Sequence, residues 1–358
     1  MKKIVSVCSA RPNFVKLAAV HHTIWKMPLN EIQHNIVHTG QHYDPLLSDI
    51  FFKQLEIPNP DFNLEIHGGT REEVIEATDH AFAEKLSIIN PDIVLVYGDV
   101  NGAVGAARAA KRLGYKLGHV EAGLRSGDLS MPEEVNRIAI DEIADVLFCS
   151  EESAVKNLQA DGVAEEKIHL VGNTMIDTLI RMMPLIDETT IPIAVDGVFA
   201  IATLHRPSNV DDANILRETL SFLSEISRHI PLVLPAHHRL EAAIEKFHLE
   251  DAIDRYLILV PPMAYLSFLR CVKDAAFILT DSGGIQEEAT YLQKKCFTLR
   301  RNTERPSTIE SGSNMLVDIA NHEDRHRILE FASHPVVPSV TVPALWDGKA
   351  GERIIALL

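Results

Sequence analysis

Short apolar runs rich in β-branched residues recur along the chain and alternate with longer stretches patterned as helices. The first half reads as strands over Ile4 to Cys8, Asn35 to Thr39, Ile93 to Tyr97, Leu117 to Val120, Val146 to Cys149 and Ile168 to Val171. Helices are predicted between them over Arg71 to Ile89, Gly102 to Leu113 and Pro132 to Ala144. After Gly172-Asn173 and a helix-like Thr174 to Ile186, a second series begins. Its strands are Phe199 to Leu204, Leu232 to Leu234, Leu257 to Val260, Phe277 to Thr280, Cys296 to Leu299 and Met315 to Val317. Such β/α alternation predicts an α/β chain with two Rossmann-like, doubly wound parallel sheets in tandem. Ligands bind such sheets beyond the carboxyl ends of the strands, so a central cleft faced by both domains is the expected site.

Candidate chemistry is therefore expected at the strand ends. Phe277 to Thr280 empties through Asp281 and Ser282 into Gly283 and Gly284, which open a helix. Backbone amides at a helix N-terminus converge on an anion, and two glycines let it approach closely: a phosphate seat. Glu288, about a turn and a half further on, is placed to accept bonds from a sugar hydroxyl. The plainer alternative is a Ser-capped helix with a permissive glycine pair.

Arg11 and Lys16 follow the first strand, where two cations can meet an anion. Gly98-Asp99 follows the Ile93 to Tyr97 strand, and Glu121 follows Leu117 to Val120, with Arg125 shortly after. Pro132 opens a helix that carries Glu133 and Glu134 in its first turn and Arg137 one turn on. First-turn acids complement a helix dipole whether or not they do chemistry, and Asp99 has turn formation as its plain alternative. A carboxylate that directly ends an apolar strand is harder to explain structurally, and three acids at adjacent sheet ends suggest acid/base work. In the second half, strand ends supply His205-Arg206 and His237, and Cys296 to Leu299 leads to Arg305.

Composition narrows the class. A chain of 358 residues with 46% hydrophobic and 23% charged residues fits a globular protein of two domains. With 34 Lys+Arg against 50 Asp+Glu, the formal charge of −16 disfavours nucleic acid and anionic membranes as partners. The N-terminus enters a strand without a signal-peptide pattern, and no apolar run approaches a membrane span, so a cytoplasmic enzyme is expected. Cys8, Cys149, Cys271 and Cys296 are widely spaced and read as reduced core thiols. The 17 histidines show no metal-ligand spacing, so no metal is expected.

Taken in order, RPNFVK, HTGQHYD, YGD, GHVEAGLRSGD, MPEEVNR, VGNTMID, TLHRP, LTDSGGIQEEA and LRRNTERP resemble the non-hydrolysing UDP-N-acetylglucosamine 2-epimerases over nearly the whole chain. That resemblance implies a GT-B-like fold with an N-terminal domain over 1–172 plus a returning 347–358 helix, and a UDP-binding domain over 173–346. It implies a homodimer, no added cofactor, and interconversion of UDP-GlcNAc and UDP-ManNAc. Asp99, Glu121 and Glu133 fall on its catalytic positions. Arg11, Lys16, His205, Phe268, Ser282, Gly283, Gly284, Glu288 and Arg305 fall on its nucleotide-sugar positions. The chemistry suits these groups: a carboxylate removes the C2 proton as UDP leaves, giving a 2-acetamidoglucal, and UDP adds back while C2 is protonated on its other face. Arg11, His205 and the Ser282 to Gly284 amides are suited to the leaving β-phosphate.

Relatives with much the same motifs act on UDP-2,3-diacetamido-glucuronic acid or 6-deoxy UDP-HexNAc. A GT-B glycosyltransferase is the nearest rival, followed by a hydrolysing epimerase and a non-enzymatic UDP-sugar sensor. Some bacterial relatives bind a second UDP-GlcNAc through residues matching Gln41, His42, Arg206 and His237. Here Asp44 stands at a further position of that set and the loop Glu65 to Thr70 has no arginine, so weak or absent allosteric activation is expected.

Overall fold

The computed structural model describes residues 1–28, 31–40, 51–195 and 197–358. The chain divides into two compact units, Met1–Met182 with Ala344–Leu358, and Met183–Pro343. Both belong to the α/β class.

In the first unit, strands β1 (Lys2–Cys8), β2 (Ile32–His38), β3 (Phe62–Asn63), β4 (Ile93–Tyr97), β5 (Lys116–Val120), β6 (Val146–Cys149) and β7 (Ile168–Leu170) form one parallel sheet. Its order is β3-β2-β1-β4-β5-β6-β7, so the winding reverses between β1 and β4. Val5, Val7, Val94 and Val96 share one core on one face of this sheet with Ala103, Ala106 and Ala110 of the Asn101–Arg112 helix. Burial on both faces is why these strands are continuous apolar runs rather than alternating ones. The two-residue β3 has no such run, which is why its pattern is silent in the sequence.

Helix boundaries follow local chemistry. Arg71–Ile89 starts at Thr70, whose hydroxyl accepts from the Glu73 amide while the Glu73 carboxylate accepts from the Thr70 amide. It stops at Asn90, which adopts a left-handed φ of 46°. The C-terminal Ala350–Leu357 helix packs on Arg11–Trp25, and its Gly351 amide donates to Asp177 at 2.8 Å.

The second unit holds β8 (Ala200–Thr203), β9 (Leu232–Pro235), β10 (Leu257–Val260), β11 (Phe277–Thr280), β12 (Lys295–Thr298) and β13 (Asn314–Leu316), all parallel. The order β10-β9-β8-β11-β12-β13 reverses between β8 and β11. Side chains alternate cleanly: Ala200, Ala202, Leu232, Leu234, Phe277 and Leu279 fill one core, and Ile201, Val233 and Ile278 fill the other. The four cysteines are free and buried. Among the described residues no helix is long and apolar enough to cross a membrane, and no group of three His, Cys, Asp or Glu side chains could hold a metal ion.

Candidate active site

Each reversal of strand order leaves a gap between two diverging loops. Arg11 and Asp99 follow the two strands at the first reversal, and His205, Arg206 and Ser282 follow those at the second. In the first unit, Asn13 joins the two loops. Its side-chain oxygen accepts from the Ser9 and Ala10 amides at 3.2 and 2.9 Å, and its amide donates to the Tyr97 carbonyl at 2.8 Å. One turn on, Lys16 is buried and ion-paired with Glu121, also buried. Gly98, with φ at 63°, passes so close that a Cβ there would lie 2.9 Å from Lys16 Nζ and 3.8 Å from Glu121 Oε2. Arg11 opens the Arg11–Trp25 helix with its guanidinium 5.4 Å from the Phe51 ring centre.

Glu121 adopts a φ of 71°, a left-handed conformation that costs a non-glycine residue about 1–3 kcal/mol. Its amide and that of Ala122 both donate to the Phe148 carbonyl, at 3.0 and 3.1 Å, and these bonds hold the turn. A glycine would fit this backbone better; the glutamate brings a carboxylate instead. Asp99 is half-exposed and pairs with Arg137 at 2.5 Å. Arg137 is itself buried, bonding Glu134 at 2.6 Å and the Leu124 carbonyl at 3.0 Å.

The two first-turn acids part company. Glu133 is exposed, whereas Glu134 is buried and accepts from the Ser126 and Gly127 amides at 2.9 to 3.0 Å. Arg125 spends its guanidinium on Asp141 at 2.7 Å and Asp161 at 2.8 Å.

In the second unit, Thr203 of β8 and Thr280 of β11 are partners across the reversal, so the loops after them lie side by side. The Asp281 carboxylate, fully buried, accepts from the amides of His205 at 3.0 Å and Arg206 at 2.9 Å, from Asn209 Nδ2 at 3.1 Å, and from His205 Nδ1 at 2.5 Å. Burial alone would raise its pKa; His205 and the two amides outweigh that and hold it below the usual range. In the sequence Asp281 reads only as part of the strand exit; that it meets His205 follows from β8 and β11 being neighbours in the sheet, which no local pattern shows.

Ser282 is the N-cap residue of the Gly283–Tyr291 helix, yet its side chain makes no capping bond. The Ser-cap alternative thus lacks its defining hydrogen bond. A Cβ at Gly283 would run into the Arg305 guanidinium and Glu304, so a larger residue there must shift that buried pair. Arg305 is buried between Glu287, 3.1 Å away, and Glu304. Arg206 Nε donates to the Asp281 carbonyl at 2.9 Å. His237 caps the His238–Phe247 helix through its ring, and Phe268 is partly buried against the sheet core. Glu288 is buried and accepts from the Tyr265 hydroxyl at 3.1 Å. Burial, with repulsion from Glu287 added, pushes its carboxyl up to about 8 against the opposing Tyr265 bond. Gln41, His42 and Asp44 lie outside the described residues.

The sequence profile of the UDP-N-acetylglucosamine 2-epimerase family matches residues 28–358. A UDP-N-acetylglucosamine 2-epimerase of Methanocaldococcus jannaschii is 35% identical over 376 aligned positions, covering 99% of this chain and 98% of the relative. A UDP-2,3-diacetamido-2,3-dideoxy-D-glucuronate 2-epimerase of Pseudomonas aeruginosa is 40% identical over 342 positions, covering 92% and 91%. The crystal structure of the M. jannaschii UDP-GlcNAc 2-epimerase in complex with UDP-GlcNAc and UDP superposes with a TM-score of 0.91 at 36% identity, covering 100% of this chain and 99% of that one. The chain therefore belongs to the UDP-N-acetylglucosamine 2-epimerase family.

Proposed function

We propose that this protein interconverts UDP-N-acetylglucosamine and UDP-N-acetylmannosamine by eliminating UDP and adding it back. The observation that carries the reading is a carboxylate held in a costly place: Glu121, in a left-handed backbone and paired with buried Lys16, stands beside the Asp99 turn at the strand-order reversal of its sheet. In the forward direction a carboxylate takes the C2 proton, the C–H electron pair becomes the C1–C2 double bond, and the C1–O bond breaks to release UDP. In the return direction the UDP β-phosphate oxygen attacks C1 and C2 receives a proton on the opposite face. Asp99, Glu121 and Glu133 are the acids assigned to these transfers.

His205 and the amides after Ser282 are assigned to the charge that develops on the leaving diphosphate. His205 suits that task because Asp281 engages its Nδ1 and fixes the ring, so that the imidazolium form presents its Nε2–H outward. Arg11, Arg206, His237, Phe268, Glu288 and Arg305 are assigned to the nucleotide sugar. The protein acts without an added cofactor, as a cytoplasmic homodimer, in supplying a sugar for cell-surface polysaccharide.

The 40% identity to the P. aeruginosa relative favours a second substrate, UDP-2,3-diacetamido-2,3-dideoxy-glucuronate. A proton NMR time course of the pure protein with each UDP-sugar tests both. Appearance of the C2 epimer supports the reading for that sugar; free sugar and UDP, or no turnover with either, contradicts it.

A further inference from the structure

His119 lies in β5, entirely buried, two residues before Glu121. Its Nε2 lies at hydrogen-bond distance, 2.9 Å, from the Gly98 carbonyl oxygen, and its Nδ1 lies 2.7 Å from Asp141 Oδ1. The other oxygen of Asp141 accepts from the Gly123 amide at 3.1 Å and from Arg125 Nη1 at 2.7 Å. Burial pulls the Asp141 carboxyl up, but His119 and Arg125 outweigh it and leave its pKa below the ordinary value. Each ring nitrogen therefore faces an oxygen, and the second Asp141 oxygen is held by two further donors.

Three chain segments meet at this pair. Gly98 immediately precedes Asp99, His119 shares a strand end with Glu121, and Asp141 sits on the Pro132–Ile143 helix that carries Glu133 and the Asp99 partner Arg137. A buried polar pair of this kind adds little net stability compared with apolar packing, so it is better explained by what it holds in register.

We infer that His119 and Asp141 are positioning residues, whose buried pair fixes Asp99, Glu121 and Glu133 relative to one another for proton removal and return at C2. This rests on the proposed epimerase function. Neither side chain is assigned contact with the sugar. Misplacing an acid by about 1 Å is enough to cost on the order of 100-fold in rate.

The test uses His119→Asn and Asp141→Asn with UDP-GlcNAc in D2O, with the functional fraction counted by UDP-binding stoichiometry. Expected are a kcat per UDP-binding site reduced about tenfold or more, a UDP Kd within about twofold of wild type, and a changed ratio of C2 deuterium exchange to epimerisation. The ratio matters because loss of folded protein would lower both rates together and leave it unmoved. Unchanged kcat per site and unchanged ratio overturn the inference. If the wild type neither exchanges nor epimerises, the proposed function falls first and the positioning role with it. Should neither variant fold, His119→Gln and Asp141→Glu, which keep a polar side chain at each place, enter the same measurement, and the same outcomes support or overturn the inference.

Discussion

His205 and Asp281 meet at 2.5 Å across the neighbouring strands β8 and β11, with the aspartate fully buried and the imidazole half-exposed. One carboxylate thus sets the ring and also holds the backbone of the two residues that begin the loop. His205→Gln is expected to lower kcat by about 100-fold, the scale seen when a single transition-state donor is removed. Asp281→Asn should also lower kcat, and in addition lower Tm, because Asn209 and two amides share the same carboxylate. Steady-state kinetics beside thermal melts check this. A Tm loss in the His205 variant equal to that in the Asp281 variant would show that the pair is structural.

Gly283→Ala should weaken UDP binding by about tenfold or more, since an added methyl must displace Arg305 from between Glu287 and Glu304 at the mouth of the helix. Isothermal titration with UDP measures it. Normal affinity in a folded variant would remove the phosphate seat from the account.

Glu288 makes the stability of the fold depend on pH. Its folded pKa of about 8 lies above the ordinary 4.5, so the folded state binds this proton more tightly than the unfolded state. That contribution to stability is complete below 4.5 and is lost as pH rises through 8. Glu288→Gln keeps the size of the side chain but cannot ionise. Its Tm relative to wild type should therefore rise between pH 6 and pH 9. A constant difference over that range would contradict the buried, protonated glutamate.

Lys16 and Glu121 should behave as a coupled unit. Removing either partner strands a buried charge at a cost of about 3–5 kcal/mol, whereas Lys16→Met with Glu121→Gln strands none. Urea titrations of the two single variants and the double variant should show the double losing less than the sum by about 1–3 kcal/mol. Additive losses would mean the pair does not form in solution.

Much of this was open to sequence reading because parallel strands buried on both faces are continuous apolar runs, so β8, β11 and β12 were legible to within a residue or so, and their ends pointed to His205, Ser282 and Arg305. What stayed hidden depends on tertiary partners. Nothing local to Asp281 says that it faces His205 from the next strand, and nothing local separates exposed Glu133 from buried Glu134 in one first turn. Likewise Arg125 is indistinguishable in sequence from a substrate-binding arginine, although Asp141 and Asp161 engage it. The left-handed backbone of Glu121 had a faint trace in the sequence, an acid ending an apolar strand just before Ala122-Gly123.

In the proposed reaction C2 is deprotonated and reprotonated while UDP leaves and returns. Turnover of UDP-GlcNAc in D2O, followed by proton NMR and mass spectrometry, reads both proton transfers. Deuterium is expected at C2 of the UDP-ManNAc formed and, as the reaction approaches equilibrium, at C2 of the UDP-GlcNAc pool as well. Full retention of protium at C2 in an epimerised product would contradict it.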